Sequence, residues 1–301
     1  MSTLIKRFLS VGTAPPGGAF FVVGGALSEV IQESKRSAGW QVTAEATKGT
    51  QENIRRLVSG ELDFALANAA ITFFAVRGQG GWESPQAVRA VMTLAPNVAL
   101  FIAPRDNGID RIRDLAGRRV VIGPAGAGFE YFVGPILEAH GVGYEDLNVL
   151  HNTQAGAVDM LADGSAVAAF LGGAVPTSSI TQAATTQDIE FIPFEAEAVD
   201  RLVAEYPFFN RVTIKADTYP GQSEPFKGMN VGSMHLITSA DADEETVYEV
   251  TKTIWENRGQ VVEKHAAGRA IQADIVVRDT GTEFHPGAIR FYREIGIWPE
   301  G

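Results

Sequence analysis

Phe8-Leu9-Ser10-Val11 runs into Gly12-Thr13-Ala14-Pro15-Pro16-Gly17-Gly18, and an apolar run from Ala19 to Ile31 follows. The same order of features returns later. Val120-Val121-Ile122 leads into Gly123-Pro124-Ala125-Gly126-Ala127-Gly128, and then the run Phe129 to Ala139. Each stretch reads as a short apolar strand, a glycine-rich loop and a helix. A helix N-terminus leaves its first N–H groups unpaired and carries partial positive charge. Glycine lets a ligand come close to those groups. Two such turns predict two half-sites for one small anion, one on each side of a cleft. Taken singly, each is equally an ordinary strand–helix connection. Neither is a nucleotide fingerprint. No Lys follows the last Gly as Walker A requires, and G-x-G-x-x-G begun at Gly126 would need Gly where Tyr131 stands.

Outward from these turns, strand and helix signals alternate. Val42-Thr43-Ala44-Glu45-Ala46 is short and flanked by turn residues, as a strand is. Thr50 can cap a helix in which Ile54, Leu57 and Val58 share a face. Leu62, Phe64 and Leu66 alternate with Asp63, Ala65 and Ala67, the period of a strand. Val98 to Ala103 is a buried-strand candidate that stops at Pro104. Further strands are expected at Ala166–Leu171, Ile189–Phe194 and Gly232–Thr238. Asp243-Glu244-Glu245 opens a helix with Val247, Val250 and Ile254 on one face, its acidic first turn complementing the dipole. A last helix spans Gly287 to Ile295. Alternating strands and helices imply mixed, mainly parallel sheets flanked by helices. The pattern suits two α/β lobes with crossings near 103 and near 216–230. Lobe 1 is then residues 1–103 plus 228–301, with the last helix packed back on it. Lobe 2 is residues 104–227, including the polar segment 216–227.

The chain of 301 residues is 45% hydrophobic and 20% charged, enough to bury a sizeable core. Its net charge of −11, from 25 basic and 36 acidic residues, argues against nucleic acid or an anionic membrane as partner. It leaves an anionic ligand open, because local N–H groups outweigh distant net charge. Cysteine is absent, which removes disulfides, thiolate catalysis and Cys-based metal sites. No apolar run is long enough to span a membrane. His140, His151, His235, His265 and His285 are scattered, with no pair at metal-binding spacing, and read as structural or surface residues. There is no G-x-S-x-G elbow. No cofactor, metal or catalytic residue is expected.

The ordered motifs resemble the TAXI-type solute receptors of TRAP transporters. The resemblance rests on Gly12-Thr13, Gly17-Gly18, Phe20-Phe21 and Gly24-Gly25-Ala26-Leu27, then on Glu45 to Asn53 and Ser59-Gly60-Glu61-Leu62-Asp63. It continues through Leu115 to Val120, Gly123 to Glu130, Tyr206-Pro207, Thr218 to Gln222 and His285 to Ala288. It implies a two-lobed periplasmic-binding-protein fold of type II, with a ligand cleft between lobes. It also implies a monomeric binding protein, not an enzyme, that passes a small organic acid to TRAP permease subunits. Enzymes on such folds use cysteine-bound cofactors or Cys-rich loops, and this chain has no Cys. Receptors of this type are exported, whereas Met1 to Arg7 shows no leader. A periplasmic protein with its leader trimmed is the expectation. A cytoplasmic sensor or carrier of the same fold is the alternative.

Carried over by matching position, the resemblance implies ligand contacts at Thr13, the Gly17-Gly18 backbone, Phe20, Phe21, Thr47, Lys48, Thr50, Asn53 and Asn68. On the second lobe it implies Gly126, Ala127, Gly128, Phe129, Glu130, Gly173, Pro176 and Thr177. Asn53 reads either as a ligand contact or as a helix cap, and Asn68 ends a strand where open α/β sheets place ligands. Departures from the family pattern bear on the ligand. Pro15-Pro16 stiffens the first loop, Phe20 and Phe21 replace tyrosines, and Gly126-Ala127-Gly128-Phe129 stands where Gly-Ser-Gly-Thr is usual. Fewer donors and more aromatic surface point to a monocarboxylate with an apolar or aromatic body. The competing reading makes the three Phe core residues.

Overall fold

The computed structural model describes residues 8–16, 18–34 and 39–299. They form two compact units, Met1–Ala95 with Ser233–Gly301, and Pro96–Gly232.

The first unit begins with β1 (Phe8–Gly12), α1 (Ala19–Glu33), β2 (Gln41–Glu45), α2 (Thr50–Val58), β3 (Phe64–Asn68), α3 (Ala69–Ala75) and β4 (Val88–Thr93). In α1, Val23, Ala26, Leu27, Val30 and Ile31 are buried, the stripe a helix lays on a sheet. Gly24 lets it lie close, since a Cβ there would sit 2.4 Å from Thr13 Cγ2.

The second unit holds β5 (Val98–Pro104), β6 (Arg119–Ile122), α4 (Glu130–Ala139), β7 (Asn148–Leu150), α5 (Gln154–Ala162), β8 (Ala168–Gly173) and α6 (Ser178–Thr186). It continues with β9 (Ile189–Phe191), α7 (Ala196–Glu205), β10 (Phe209–Ile214) and β11 (Phe226–Val231). The chain then returns to the first unit with β12 (Met234–Ser239), α8 (Glu244–Glu256), α9 (Arg258–Lys264), α10 (Ala273–Val276) and α11 (Pro286–Glu294).

The first sheet has the order β2-β1-β3-β12-β4. β1 runs parallel to β2 and β3, while β12 runs antiparallel to β3 and β4. The second has the order β10-β11-β5-β8-β6-β7, with β9 also on β5. β6 runs parallel to β7 and β8, and every pairing of β5 is antiparallel. The sheets are therefore mixed, and the parallel part of each is its run of three strands joined by helices. The antiparallel part comes from β4 and β12 in the first sheet and from β5, β9, β10 and β11 in the second, and the chain passes between units from β4 to β5 and from β11 to β12.

The crossings differ from those expected. The units divide at 95/96 and 232/233, where crossings near 103 and near 216–230 were expected, with lobe bounds at 103/104 and 227/228. Val98 to Ala103 is a continuous apolar run that suits a buried strand of either lobe. Its pairing decides the matter, and its partners β8, β9 and β11 all lie in the second unit. The segment expected as a polar crossing ends in β11, whose Gly228 to Val231 are buried.

Each unit has its own core. In the first, Leu27, Phe64, Leu66, Met92, Leu236, Ile254, Phe291 and Tyr292 pack together. In the second, Val98, Leu100, Ile102, Val121, Leu161, Leu171 and Ile180 do so. The C-terminal helix α11 does pack on the first unit. A Cβ at Gly287 would lie 2.3 Å from the Glu244 carbonyl oxygen, so only glycine allows that crossing of α11 with α8.

Candidate functional site

In each unit, three adjacent parallel strands bring their carboxyl ends to one edge of the sheet. In the first these are β2, β1 and β3, followed by α2, α1 and α3. In the second they are β7, β6 and β8, followed by α5, α4 and α6. Six helix N-termini thus start at the two carboxyl edges, the position at which open α/β sheets hold ligands. Nearly all the expected contacts fall on these edges. Gly17 lies outside the described residues.

Most of the polar side chains expected to meet ligand are spent on the loops themselves. Thr13 donates from its N–H and from Oγ1 to the Glu45 carbonyl, at 2.9 and 2.8 Å, joining the ends of β1 and β2. Thr47 Oγ1 accepts from Gly49 N–H at 3.2 Å. Thr50 Oγ1 accepts from Asn68 N–H at 2.9 Å, tying α2 to the end of β3. Asn68 Oδ1 accepts from Ala70 N–H at 2.9 Å and so caps α3. Thr177 donates its N–H to the Tyr219 hydroxyl at 2.9 Å and its Oγ1 to Ala174 O at 3.3 Å.

Asn53 is neither a helix cap nor an exposed contact. It is fully buried, and Nδ2 donates to Thr13 O and to Leu66 O, both at 2.8 Å. Both amide hydrogens are committed to carbonyls just past β1 and within β3, and Oδ1 is buried without a partner. Gly12 makes the room, for a Cβ there would lie 2.5 Å from Leu62 Cδ1 and 2.7 Å from Asn53 Oδ1. Gly12→Ala should therefore destabilise the first unit by about 1–3 kcal/mol, the range for overpacking. Equilibrium denaturation of the two proteins checks this, and an unchanged midpoint would show that the two side chains move aside freely.

The aromatic residues are divided. Phe20 and Phe21 are half-buried, and Phe20 packs against the core of the first unit. Phe129 is half-buried and lies over Gly123, where a Cβ would meet its ring at 2.7 Å. Its ring is 5.1 Å from that of Phe132, which is 5.9 Å from that of Phe170. One side of Phe129 thus belongs to the packing of its own unit.

What stays available at the edges is backbone and apolar surface. α1, α2, α4 and α6 begin without a side-chain cap, so their first N–H groups are not covered by one. In the second loop, Gly123, Gly126 and Gly128 have φ of 50°, 74° and 87°, a conformation glycine adopts at little cost. Among the described residues, no acceptor in the chain meets the amides of Ala125, Gly126, Gly128 and Phe129. Gly18, Lys48, Gly126, Glu130 and Pro176 are exposed, and Ala127 and Gly173 half-buried. Val22 and Val175 add apolar surface, 41% and 40% exposed.

Sequence reasoning missed the loop after β7. His151 is exposed, and its Nδ1 donates towards Ile122 O and Gly123 O at 3.1 and 3.3 Å. Asn152 N–H donates to Gly123 O at 3.1 Å. β7 has only three residues, too few for alternation to register, although Thr153 capping an Ala-rich run was a readable helix start. The other His residues are structural. His140 is held neutral by burial, accepting from Glu195 N–H at 3.0 Å and donating to Ile136 O at 2.7 Å. His265 and His285 cap helical turns. Among the described residues no group of three or more His, Cys, Asp or Glu side chains could hold a metal ion, and no helix is long and apolar enough to cross a membrane.

The family model described as "NMT1-like family" matches residues 11–296. This chain belongs to the NMT1-like family. Solved structures share its two-lobed α/β fold, that of periplasmic binding proteins. PhnD1 from Prochlorococcus marinus, in complex with methylphosphonate, aligns with a TM-score of 0.58 at 10% identity, over 97% of this chain and 96% of its own. The periplasmic aliphatic sulphonate binding protein SsuA from Escherichia coli aligns with a TM-score of 0.52 at 13% identity, over 97% and 84%. A binding protein component of an ABC phosphonate transporter from Pseudomonas aeruginosa gives 0.57 at 12% identity, over 87% and 79%. At such identities the likeness speaks for the fold alone. The NMT1-like chain has the mixed sheets flanked by helices that its sequence pattern led us to expect.

Proposed function

We propose that this NMT1-like protein is an extracytoplasmic solute receptor that captures a small organic acid and hands it to a membrane permease. It is a binding protein and not an enzyme. The observation that carries this reading is the set of helices α1, α2, α4 and α6, which open at the carboxyl edges without side-chain caps. Uncapped N–H groups at a positive helix end suit an anion. Lys48 is the one basic residue among the expected contacts. The surface beside the amides is apolar, with Phe20, Phe21, Val22, Phe129 and Val175 each partly exposed. A monocarboxylate with an apolar or aromatic body matches both features. Fold neighbours whose names state a sulphonate or methylphosphonate support an oxyanion carrying an organic group. The finer reading, a monomeric periplasmic receptor of TAXI type serving a TRAP permease, rests on the ordered motifs from Gly12-Thr13 to His285-Pro286-Gly287-Ala288.

A thermal-shift panel tests the ligand class. It holds phenylacetate, benzoate, isovalerate, glutamate, 2-oxoglutarate, methylphosphonate and ethanesulphonate. A ligand at 100 times its Kd adds about 2.7 kcal/mol of stability, a readily visible shift. The apolar monocarboxylates should raise the melting point most. A response to the phosphonate or sulphonate alone would replace the carboxylate, and no response to any member would remove the receptor reading.

Phe129 sets the preference within the class. Phe129→Thr should weaken the apolar acid in proportion to the ligand area it covers, at about 25 cal/mol per Å². It should improve glutamate or 2-oxoglutarate, because a hydroxyl replaces an apolar wall. Calorimetric titration of wild type and variant against both classes reads the exchange. Tight binding of a dicarboxylate by the wild type, with apolar acids ignored, would confine Phe129 to packing on Gly123 and Phe132.

A further inference from the structure

Gly172 is the last residue but one of β8. Its neighbour β6 pairs with β8 only as far as Ile122 opposite Phe170, so β6 leaves the backbone of Gly172 without a strand partner. A side chain takes over. Gln154, the first residue of α5, donates from Nε2 to Gly172 O at 2.8 Å and accepts from Gly172 N–H at 3.1 Å through Oε1. Oε1 also accepts from the Ser179 hydroxyl, in the first turn of α6, at 2.7 Å. One carboxamide therefore continues the sheet by a residue and joins α5, β8 and α6. On its other side Gly172 lies opposite Ala99, so close that a Cβ would sit 2.4 Å from Ala99 Cβ. The backbone of Gly172 is held from both flanks. The loop that follows, through Val175 and Pro176 to Thr177, starts from that fixed point.

The first unit repeats the device with a shorter amide. Asn53, on the helix after β2, braces the residue that follows β1 and the middle of β3. Gln154 is on the helix after β7, the corresponding outer strand of the second parallel trio. The two differ in burial. Asn53 is fully enclosed, whereas Gln154 is half-buried at the sheet edge. A fully enclosed amide with two donors committed is part of what holds its unit folded. A half-buried amide at an edge governs the local path of the chain with less weight on the whole fold.

We infer that Gln154 is a positioning residue of the ligand site, acting through the Gly172–Thr177 loop and not by touching the ligand. The inference rests on the receptor reading above. Gln154→Leu keeps the size of the side chain and removes its donors and acceptors. Gln154→Glu keeps an acceptor for Gly172 N–H and Ser179 but turns a second oxygen towards Gly172 O. Two readouts decide it: hydrogen exchange at the Gly172 amide without ligand, and the Kd of the tightest-binding acid of the panel. In Gln154→Leu, exchange at Gly172 should quicken at least tenfold and affinity fall at least tenfold, with the melting point nearly unchanged. Gln154→Glu should be intermediate in both. Unchanged exchange at Gly172 would overturn the brace. Quickened exchange with intact affinity would overturn the positioning role. Lost affinity with unchanged exchange would make Gln154 a direct contact. If wild type binds no panel member while exchange still quickens in the variant, the receptor reading fails and Gln154 is a structural brace only.

Discussion

Asn53→Ala should cost the first unit about 2–4 kcal/mol of stability, because it strands two buried carbonyls at about 1–3 kcal/mol each. Those carbonyls belong to Thr13, just past β1, and to Leu66, in the middle of β3. The loss is below the full sum because the wild-type Oδ1 is itself buried without a partner, and alanine removes that atom too. Asn53→Asp should be worse near neutral pH, since a carboxylate would face two carbonyl oxygens. The chain offers a selective probe. Trp40, Trp82, Trp255 and Trp298 all lie in the first unit, so tryptophan fluorescence reports on that unit alone. The denaturation midpoint by fluorescence should fall sharply in both variants. Normal stability with weakened ligand binding would return Asn53 to the role of a ligand contact.

The second large effect is a loss of stability in acid. His235 on β12 is fully buried, with Thr72 Oγ1 2.9 Å from Nε2 and no partner for Nδ1. Burial pushes its pKa down from 6.5 to about 3. The native protein therefore holds a neutral imidazole, while the unfolded chain takes up a proton below about 6.5. The unfolded state binds more protons over this interval, so stability rises with pH. The contribution is whole above pH 6.5 and is lost as pH falls towards 3. At about 1.4 kcal/mol per pKa unit, the full loss is roughly 4–5 kcal/mol. His285 in the same unit is also shifted down by burial and adds to the slope. Carboxylates titrate mostly below pH 5, so the interval from about 6.5 to 5 isolates the histidines. His235→Gln should flatten the pH dependence of the fluorescence midpoint there, leaving the share of His285. An unchanged slope would mean that the buried ring is protonated or hydrated in the native state.

How far the sequence could be read depended on whether a feature is local. The turns at Gly12–Gly18 and Gly123–Gly128 were legible because strand, glycine and apolar helix stripe adjoin in the chain. α1 and α4 begin within a residue of where the pattern places them. The last helix and its packing on the first unit were legible for the same reason. β5 was legible as a strand but not as a member of the second unit, since membership is fixed by β8, β9 and β11, distant in sequence. The edges that carry the candidate site were legible as positions. The direction of their side chains was not. Thr13, Thr50, Asn53 and Asn68 are the residue types that bind ligands, and equally the types that tie loops to strand ends. Only the distances separate the two uses, and here these residues brace loops. Phe129 shows the same limit, because a ring after a glycine loop can face solvent or fold back on the glycine.

On the proposed function, a small organic acid should bind at the carboxyl edges of the parallel strands. The most direct measurement is a backbone amide NMR titration of isotopically labelled protein with the tightest-binding acid of the panel. Saturable shifts are expected at Ala14, Gly18 to Phe20 and Thr47 to Thr50 in the first unit, and at Gly126 to Glu130 and Gly173 to Thr177 in the second. Saturable shifts confined to the opposite edge of the first sheet, around Phe8, Val58 and Asp63, or no saturable shift with any member of the panel, would contradict it.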